Sequence, residues 1–364
     1  MLEEAVAAGL SPGAVAVVGR GREIVAAISV GTLGCDIGNR AVDAETVYDL
    51  SSLTKPLVTS ALMMILVAEQ RCSTRGRVAD ILPSVEPSIT FGHLLNHSSG
   101  LPAWRPFYDG VKAAEGAADR GLTTTEAAKQ VVYGLAERVP QEAPAGTRSI
   151  YSDVGYILLG KAIEAIVGEP LHGYARRRLF DPLGLRATSF VPAYDRAHAA
   201  GRIDVGRVAP CGRSLARETP VCGVVHDDTA YAMGGVSGHA GLFSDARGVH
   251  ALVAEHVEAL SGSSRLFDGR VVEDFWSLEN RLPGSTWVLG WDTPTAGAST
   301  AGRLVSPGSV GHLGFTGTSI WIDRERGVHV VLLTNRLQTG AGRDGVNDMR
   351  ARFHDAVFAE LDEL

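Results

Sequence analysis

Ser52 and Lys55, in the segment SSLTKP at 51–56, have the spacing that brings two side chains onto one face of a helix. A serine hydroxyl becomes a useful nucleophile once a neighbouring group takes its proton, and a lysine three residues later lies within reach of it. At the start of a helix, Ser52 would also meet free backbone N–H groups and the positive end of the helix dipole, which favour negative charge developing nearby. The same field, together with burial, is expected to lower the Lys55 pKa and leave its amine neutral for part of the time, able to act as a base. Only four lysines occur, at 55, 112, 129 and 161, so one beside a candidate serine is a sharper signal than in a lysine-rich chain. The blander alternative makes Ser51 or Ser52 a helix cap and Lys55 a surface charge.

Two further segments carry groups that could complete such a centre. Tyr151, in YSD at 151–153, ends a glycine-bearing loop just before a helical pattern. A phenol acts as a base only where a cation holds its phenolate, and Lys55 could do that; a tyrosine in this position is otherwise a packing residue. His312, in HLGFTG at 312–317, sits on an expected strand whose glycines allow a ligand to approach the backbone. An N–H just past Gly314, that of Phe315, could join the Ser52 N–H in binding an oxyanion.

The elements that must hold these residues follow from the apolar pattern. GAVAVVGR (13–20) and REIVAAISV (22–30), parted at Gly21, predict a hairpin after a short amphipathic helix, and TKPLVTSALMMILVAEQ predicts a long helix through the core. ITFGHLLNHSSGLP predicts a short helix with a firm stop, and further helices are expected over 124–136, 153–168, 171–180 and 245–259. Strand character returns at 285–292, 316–323 and 327–335, and a closing helix places Val346, Met349, Phe353, Val357 and Leu361 on one face. The expected class is therefore α/β (α+β), an antiparallel sheet flanked by helices. The sheet domain is built from 1–50 and 285–364, with a mainly helical domain, 51–284, inserted and the site in the cleft between them.

Composition narrows the chemistry. A chain of 364 residues, 45% hydrophobic and 21% charged, can bury a large core. Its net charge of −7 and scattered arginines offer no footprint for nucleic acid or an anionic membrane. No apolar run approaches the roughly 20 residues of a membrane span, and MLEEAVAAGL has acidic residues where a secretory leader carries basic ones. A cytoplasmic location is expected for the chain as written, and a periplasmic one if a leader was removed. The four cysteines, at 35, 72, 211 and 222, show no metal-finger spacing and read as mostly reduced, with Cys211–Cys222 the pair to check.

Together, SSLTKP, YSD and HLGFTG resemble, in that order, the signatures of the serine β-lactamase and penicillin-binding-protein superfamily, in its class C-like and esterase branch. SPGAVAVVGRG, HLLNHSSGLP, PAGTRSIYSDVGYILLGKAIE, FDPLGLRATSF, GVVHDDTAYAMGGVSGHAGLFS and VVLLTNR extend the resemblance over nearly the whole chain. It implies a β-lactamase/transpeptidase-like fold and an acyl-enzyme on Ser52, with Lys55 and Tyr151 sharing proton transfer and the Ser52 and Phe315 amides binding the oxyanion. It implies no cofactor, and a small-molecule ester, amide or β-lactam as substrate. Two departures bear on substrate. Asp153 stands where many members have asparagine, offering only acceptors and a partner for Lys55. His312 stands where penicillin-recognising members have lysine, so the positive charge that anchors a substrate carboxylate is weakened at neutral pH. Both favour an esterase or amidase over a β-lactamase or D-Ala-D-Ala carboxypeptidase; a non-catalytic sensor or binding protein is the alternative of another class.

Other patterns carry less. The GxSxG at 9–13 places Pro12 after the serine, where a nucleophile elbow needs a backbone N–H. His93, His97, His226, Asp227, Asp228 and His239 could be arranged around a metal, but they lack the glutamate of HExxH and fall in segments shared with the family, so they read as structural or cleft-lining. GGVSGHAG lacks the strand and spacing of a dinucleotide loop.

Overall fold

The N-terminal amphipathic stretch forms a short helix, α1 (Leu2–Ala7), and the chain then folds into the antiparallel hairpin β1 (Gly13–Arg20) and β2 (Glu23–Gly31). Gly21 turns it with φ of +51°, a conformation costly for residues with a Cβ. In the computed structural model, residues 1–34, 40–114, 124–194 and 203–362 are described; residues 35–39, Cys35 among them, 115–123, 195–202 and 363–364 lie outside them.

β1 is buried on both faces, and its side chains alternate between two cores as strand geometry requires. Ala14, Ala16 and Val18 pack with Leu2, Val330, Val346, Met349 and Phe353 under α1 and the C-terminal helix. Val15 and Val17 face the larger core. The sheet is completed by β6 (Val310–Leu313), β7 (Ser319–Asp323) and β8 (Val328–Thr334), in the order β2-β1-β8-β7-β6 with every pairing antiparallel. A second sheet has three short strands, β3 (Tyr48–Asp49), β4 (Ser189–Phe190) and β5 (Leu242–Ser244), with β5 in the middle.

β3 feeds directly into α2 (Ser51–Ala68). This helix opens in a tight 3-10 turn over Ser51–Leu53, widens over Lys55–Ser60 and becomes regular over Ala61–Ala68. Its 18 residues are long and apolar enough to cross a membrane, which corrects the expectation that no run approaches that length; 78% of them are buried inside the protein, and apolar residues all round mark it as a core helix. Around it lie α3 (Phe91–Leu95), α4 (Phe107–Ala114), α5 (Glu126–Ala136), α6 (Asp153–Val167), α7 (Leu171–Ala175, continuing in wide turns to Phe180), α8 (Asp228–Ala232), α9 (Ala246–Leu260) and α10 (Gly269–Phe275). α11 (Arg343–Asp362) closes the chain.

One expected strand is absent. Residues 285–292 form a tight loop in which the Val288 N–H donates to the Trp291 carbonyl and Gly290 sits at φ +87° against Ser60. The β-favouring residues of STWVLGWD are there, but Gly290 breaks the run and Trp291 is drawn into the core. The strand expected from 316 starts at Ser319, because 314–318 is a turn. Cys72, Cys211 and Cys222 are all free thiols, so Cys211 and Cys222 do not pair.

Candidate active site

The passage from β3 to α2 creates the sharp turn on which Ser52 sits. Asp49, buried at the end of β3, accepts the Ser51 N–H at 2.8 Å on one carboxylate oxygen and the His226 N–H at 2.7 Å on the other. Ser51 adopts φ of +50°, strain on the order of 1 kcal/mol held by these bonds. The turn points Ser52 into the cleft and leaves Lys55 one helical turn below it.

Lys55 is fully buried, and its Nζ meets Ser52 Oγ at 3.1 Å, the His239 carbonyl at 3.1 Å and Asp153 Oδ1 at 2.7 Å. The Tyr151 hydroxyl lies close enough to Lys55 and Ser52 to act on both, with Lys55 Nζ 4.9 Å from the centre of the phenol ring. Burial by itself pulls the Lys55 pKa down, yet Asp153 and Tyr151 together push it above the ordinary lysine value. This corrects the expectation of a lowered pKa: the helix field and burial lose to a carboxylate in direct contact. Burial raises the Tyr151 pKa, with Lys55 only partly opposing it, so the resting centre holds an ammonium and a neutral phenol.

Tyr151 is pinned from both sides. Ser152 caps α6, donates its hydroxyl to the Pro102 carbonyl and gives its N–H to His97 Nδ1 at 3.0 Å, while the Ile150 N–H donates to the His97 carbonyl at 2.8 Å. The His97 and Trp287 rings lie 4.5 Å and 5.1 Å from the phenol ring. No motif assigns His97 a part in holding the tyrosine or singles out Trp287; the HLLNHSSGLP stop is the local signal for the former.

The turn from Gly314 to Thr318 faces Ser52's turn. Thr316 and Thr318 donate their hydroxyls to the carbonyls of Asp49 and Leu50, and the Phe315 N–H donates to Ser51 Oγ at 3.3 Å. Gly314 has no room for a side chain, since a Cβ would collide with Thr318 and approach Leu50. His312 lies on β6 with Nδ1 bonded to the Leu313 carbonyl at 2.9 Å and Nε2 buried without a partner among the described residues. Burial and then Lys55 depress its pKa to about 3, so the ring is neutral and supplies no cation at physiological pH.

These residues line one cavity of about 580 Å³, walled on other sides by Trp104, Tyr108, His226, Asp227 and His239. The expected candidates Ser52, Tyr151, Asp153, His312, Gly314 and Phe315 all line it, with Lys55 buried beneath Ser52. His239 spans Ser237 Oγ at 2.8 Å and Asp227 at 2.9 Å. His93 is spent on Thr90, and no group of three or more His, Cys, Asp or Glu side chains suited to a metal occurs among the described residues. The arginines are not all scattered: Arg336, Arg343 and Arg350 line the cavity beside Phe315.

Comparison with known proteins agrees with this geometry. The Beta-lactamase family model matches residues 1–353. The chain is 33% identical over 313 residues to a putative D-alanyl-D-alanine carboxypeptidase of Escherichia coli K12, covering 80% of this chain and 69% of the relative. It is 31% identical over 366 residues to an N-acetylmuramyl-L-alanine amidase of Bacillus subtilis, covering 93% and 80%. In fold it is similar to the octameric penicillin-binding protein homologue from Pyrococcus abyssi, with a TM-score of 0.73 at 20% identity over 98% of this chain and 75% of that one. It is also similar to EstCE1, a hydrolase with promiscuous acyltransferase activity, with a TM-score of 0.70 at 23% identity over 95% and 96%. With its sheet, its Ser-x-x-Lys helix and its relatives in agreement, the chain belongs to the beta-lactamase family and is a serine hydrolase.

Proposed function

We propose that the protein cleaves a small amide or ester through an acyl-enzyme on Ser52. The observation that carries this reading is the convergence of Lys55 Nζ and the Tyr151 hydroxyl on Ser52 at the floor of a cleft. Ser52 Oγ attacks the carbonyl carbon, and its proton passes to the Lys55–Tyr151 pair, which returns it to the departing amine or alcohol. The oxyanion is held by the N–H groups of Ser52 and Phe315. Water then attacks the acyl-serine and gives its proton to the same pair, releasing the acid. The two named relatives are a carboxypeptidase and an amidase, which supports an amide among the substrates.

The neutral His312 argues against the carboxylate anchor of a penicillin-type site. A second reading, a carboxypeptidase, is favoured by the arginines lining the cleft beside Phe315, which could receive a carboxylate. The test is to label the protein with a fluorophosphonate, map the adduct, and compare nitrophenyl esters, alanyl amides and a chromogenic cephalosporin as substrates. One adduct on Ser52, with esters and amides turned over faster than the cephalosporin, is expected. An adduct elsewhere, or faster cephalosporin turnover, overturns the proposal.

The resting protonation makes a separate prediction. Because Lys55 and Tyr151 both hold their protons, the centre becomes competent on losing one, so kcat/KM for a neutral ester rises with pH. Asp153 raises the pKa of both groups. Asp153→Asn removes that influence, so the rising limb is expected to move toward lower pH by about one unit or more. A limb that stays in place or moves to higher pH would refute Asp153's part in setting the charge.

A further inference from the structure

Arg350 is almost fully buried, yet its hydrogen-bond partners among the described residues include no carboxylate. It donates from one terminal nitrogen to the carbonyls of Gly314 at 2.8 Å and Thr318 at 2.7 Å, and from the other to Asn347 Oδ1 at 2.9 Å. Burying a guanidinium against neutral acceptors is costly, and with Arg336 and Arg343 nearby its pKa falls to about 9. A buried charge of this kind has to do something that an apolar residue could not.

The two carbonyls it takes are those at either end of the turn facing Ser52. Within that turn the Gly314 N–H donates to the Thr318 carbonyl at 2.7 Å and the Gly317 N–H to the Gly314 carbonyl at 3.0 Å. The Phe315 carbonyl accepts from Arg336 Nε at 2.8 Å, and the Thr316 carbonyl from the Arg336 N–H at 3.1 Å. Every carbonyl from Gly314 to Thr316 is thus turned toward a donor away from the nucleophile. A peptide plane whose oxygen is held on one side must present its N–H on the other, so fixing the Gly314 carbonyl fixes the direction of the Phe315 N–H. That N–H points at the turn of Ser51 and Ser52.

We infer that Arg350 is a positioning residue for the oxyanion site: its bonds to the Gly314 and Thr318 carbonyls hold the intervening peptide so that the Phe315 N–H faces the reacting carbonyl, with Arg336 bracing the next carbonyl. This rests on the reading of Phe315 as an oxyanion donor. Preorganised donors matter because they need no reorientation as charge develops; a peptide free to rotate would lose that advantage even with all its atoms present.

The test uses a neutral nitrophenyl ester, which has no carboxylate for an arginine to bind, and its thionoester, whose sulfur is a poor hydrogen-bond acceptor. Wild-type protein is expected to prefer the oxoester strongly. Arg350→Met is expected to lower kcat for the oxoester about 10²-fold with KM changed by less than about threefold, and to affect the thionoester far less, so the preference collapses. Arg350→Lys, which can still reach a carbonyl, should recover part of the rate, and Arg336→Met should act in the same direction more weakly. Circular dichroism and melting temperature show which variants fold; should Arg350→Met not fold, Arg350→Lys and Arg336→Met decide by the same ratio.

An equal loss on both esters, with the preference intact, would reduce Arg350 to a packing role and overturn the inference. So would an effect confined to the KM of carboxylate-bearing esters, which would make Arg350 a substrate anchor. A wild-type protein that hydrolyses both esters without preference would overturn the Phe315 reading as well. Loss of labelling at Ser52 would instead strike the proposed nucleophile.

Discussion

Replacing Ser52 with alanine is expected to lower kcat on the best ester or amide substrate by about 10⁵-fold, while Ser51→Ala stays within about tenfold of wild type. The adjacent serines make this a demanding comparison, since both line the cleft. Their hydroxyls have different partners. Ser52 Oγ meets Lys55 at 3.1 Å with the Tyr151 hydroxyl close by, the pair that takes its proton once one of them has lost its own. Ser51 Oγ accepts the Phe315 N–H at 3.3 Å, and no base is among its hydrogen-bond partners in the described residues. Neither substitution should unfold the protein, because the bonds that the Ser51 N–H donates to Asp49 Oδ1 and the Leu242 N–H donates to Thr54 Oγ1 are untouched. Steady-state kinetics and intact-mass labelling of both variants read the result. Equal loss in both, or a larger loss for Ser51→Ala, would move the nucleophile or deny it.

Where chemistry depends on local spacing, the chain could be read directly. Ser52 and Lys55 meet because a helix brings residues three apart together, and the helix starts where β3 ends. Tyr151 before α6 and His312 on β6 are legible for the same reason, because the turn and strand patterns around them are local. The charge state of Lys55 could not be read this way. It depends on Asp153, about a hundred positions away, whose contact at 2.7 Å outweighs burial and the helix field.

The arginines show the same limit in another form. Arg336 sits in a short turn after β8 and Arg350 on α11, and only the fold brings both against the turn after His312. The failed strand at 285–292 has the opposite cause. Its residues favour a strand by type, and the tertiary demand to bury Trp291 and seat Gly290 against Ser60 overrode that preference.

Lys55→Met is expected to separate the lysine's part in catalysis from its part in stability. Methionine matches the length of the buried stem and removes the amine, so Ser52 loses a proton acceptor and kcat should fall by about 10³- to 10⁴-fold. The substitution also leaves Asp153 without its cation. Breaking a fully buried ion pair typically costs roughly 3–5 kcal/mol, but the Asp153 side chain is 22% exposed and can turn to water, so a loss of about 1–2 kcal/mol is expected. Adding Asp153→Asn removes the stranded charge. The double variant should therefore regain most of the stability in urea unfolding and none of the activity. Were activity to return with stability, Lys55 would be acting through the fold alone; were Lys55→Met to retain more than about a tenth of wild-type turnover, the proton would be leaving Ser52 by a route that does not need it, with Tyr151 the remaining group close by.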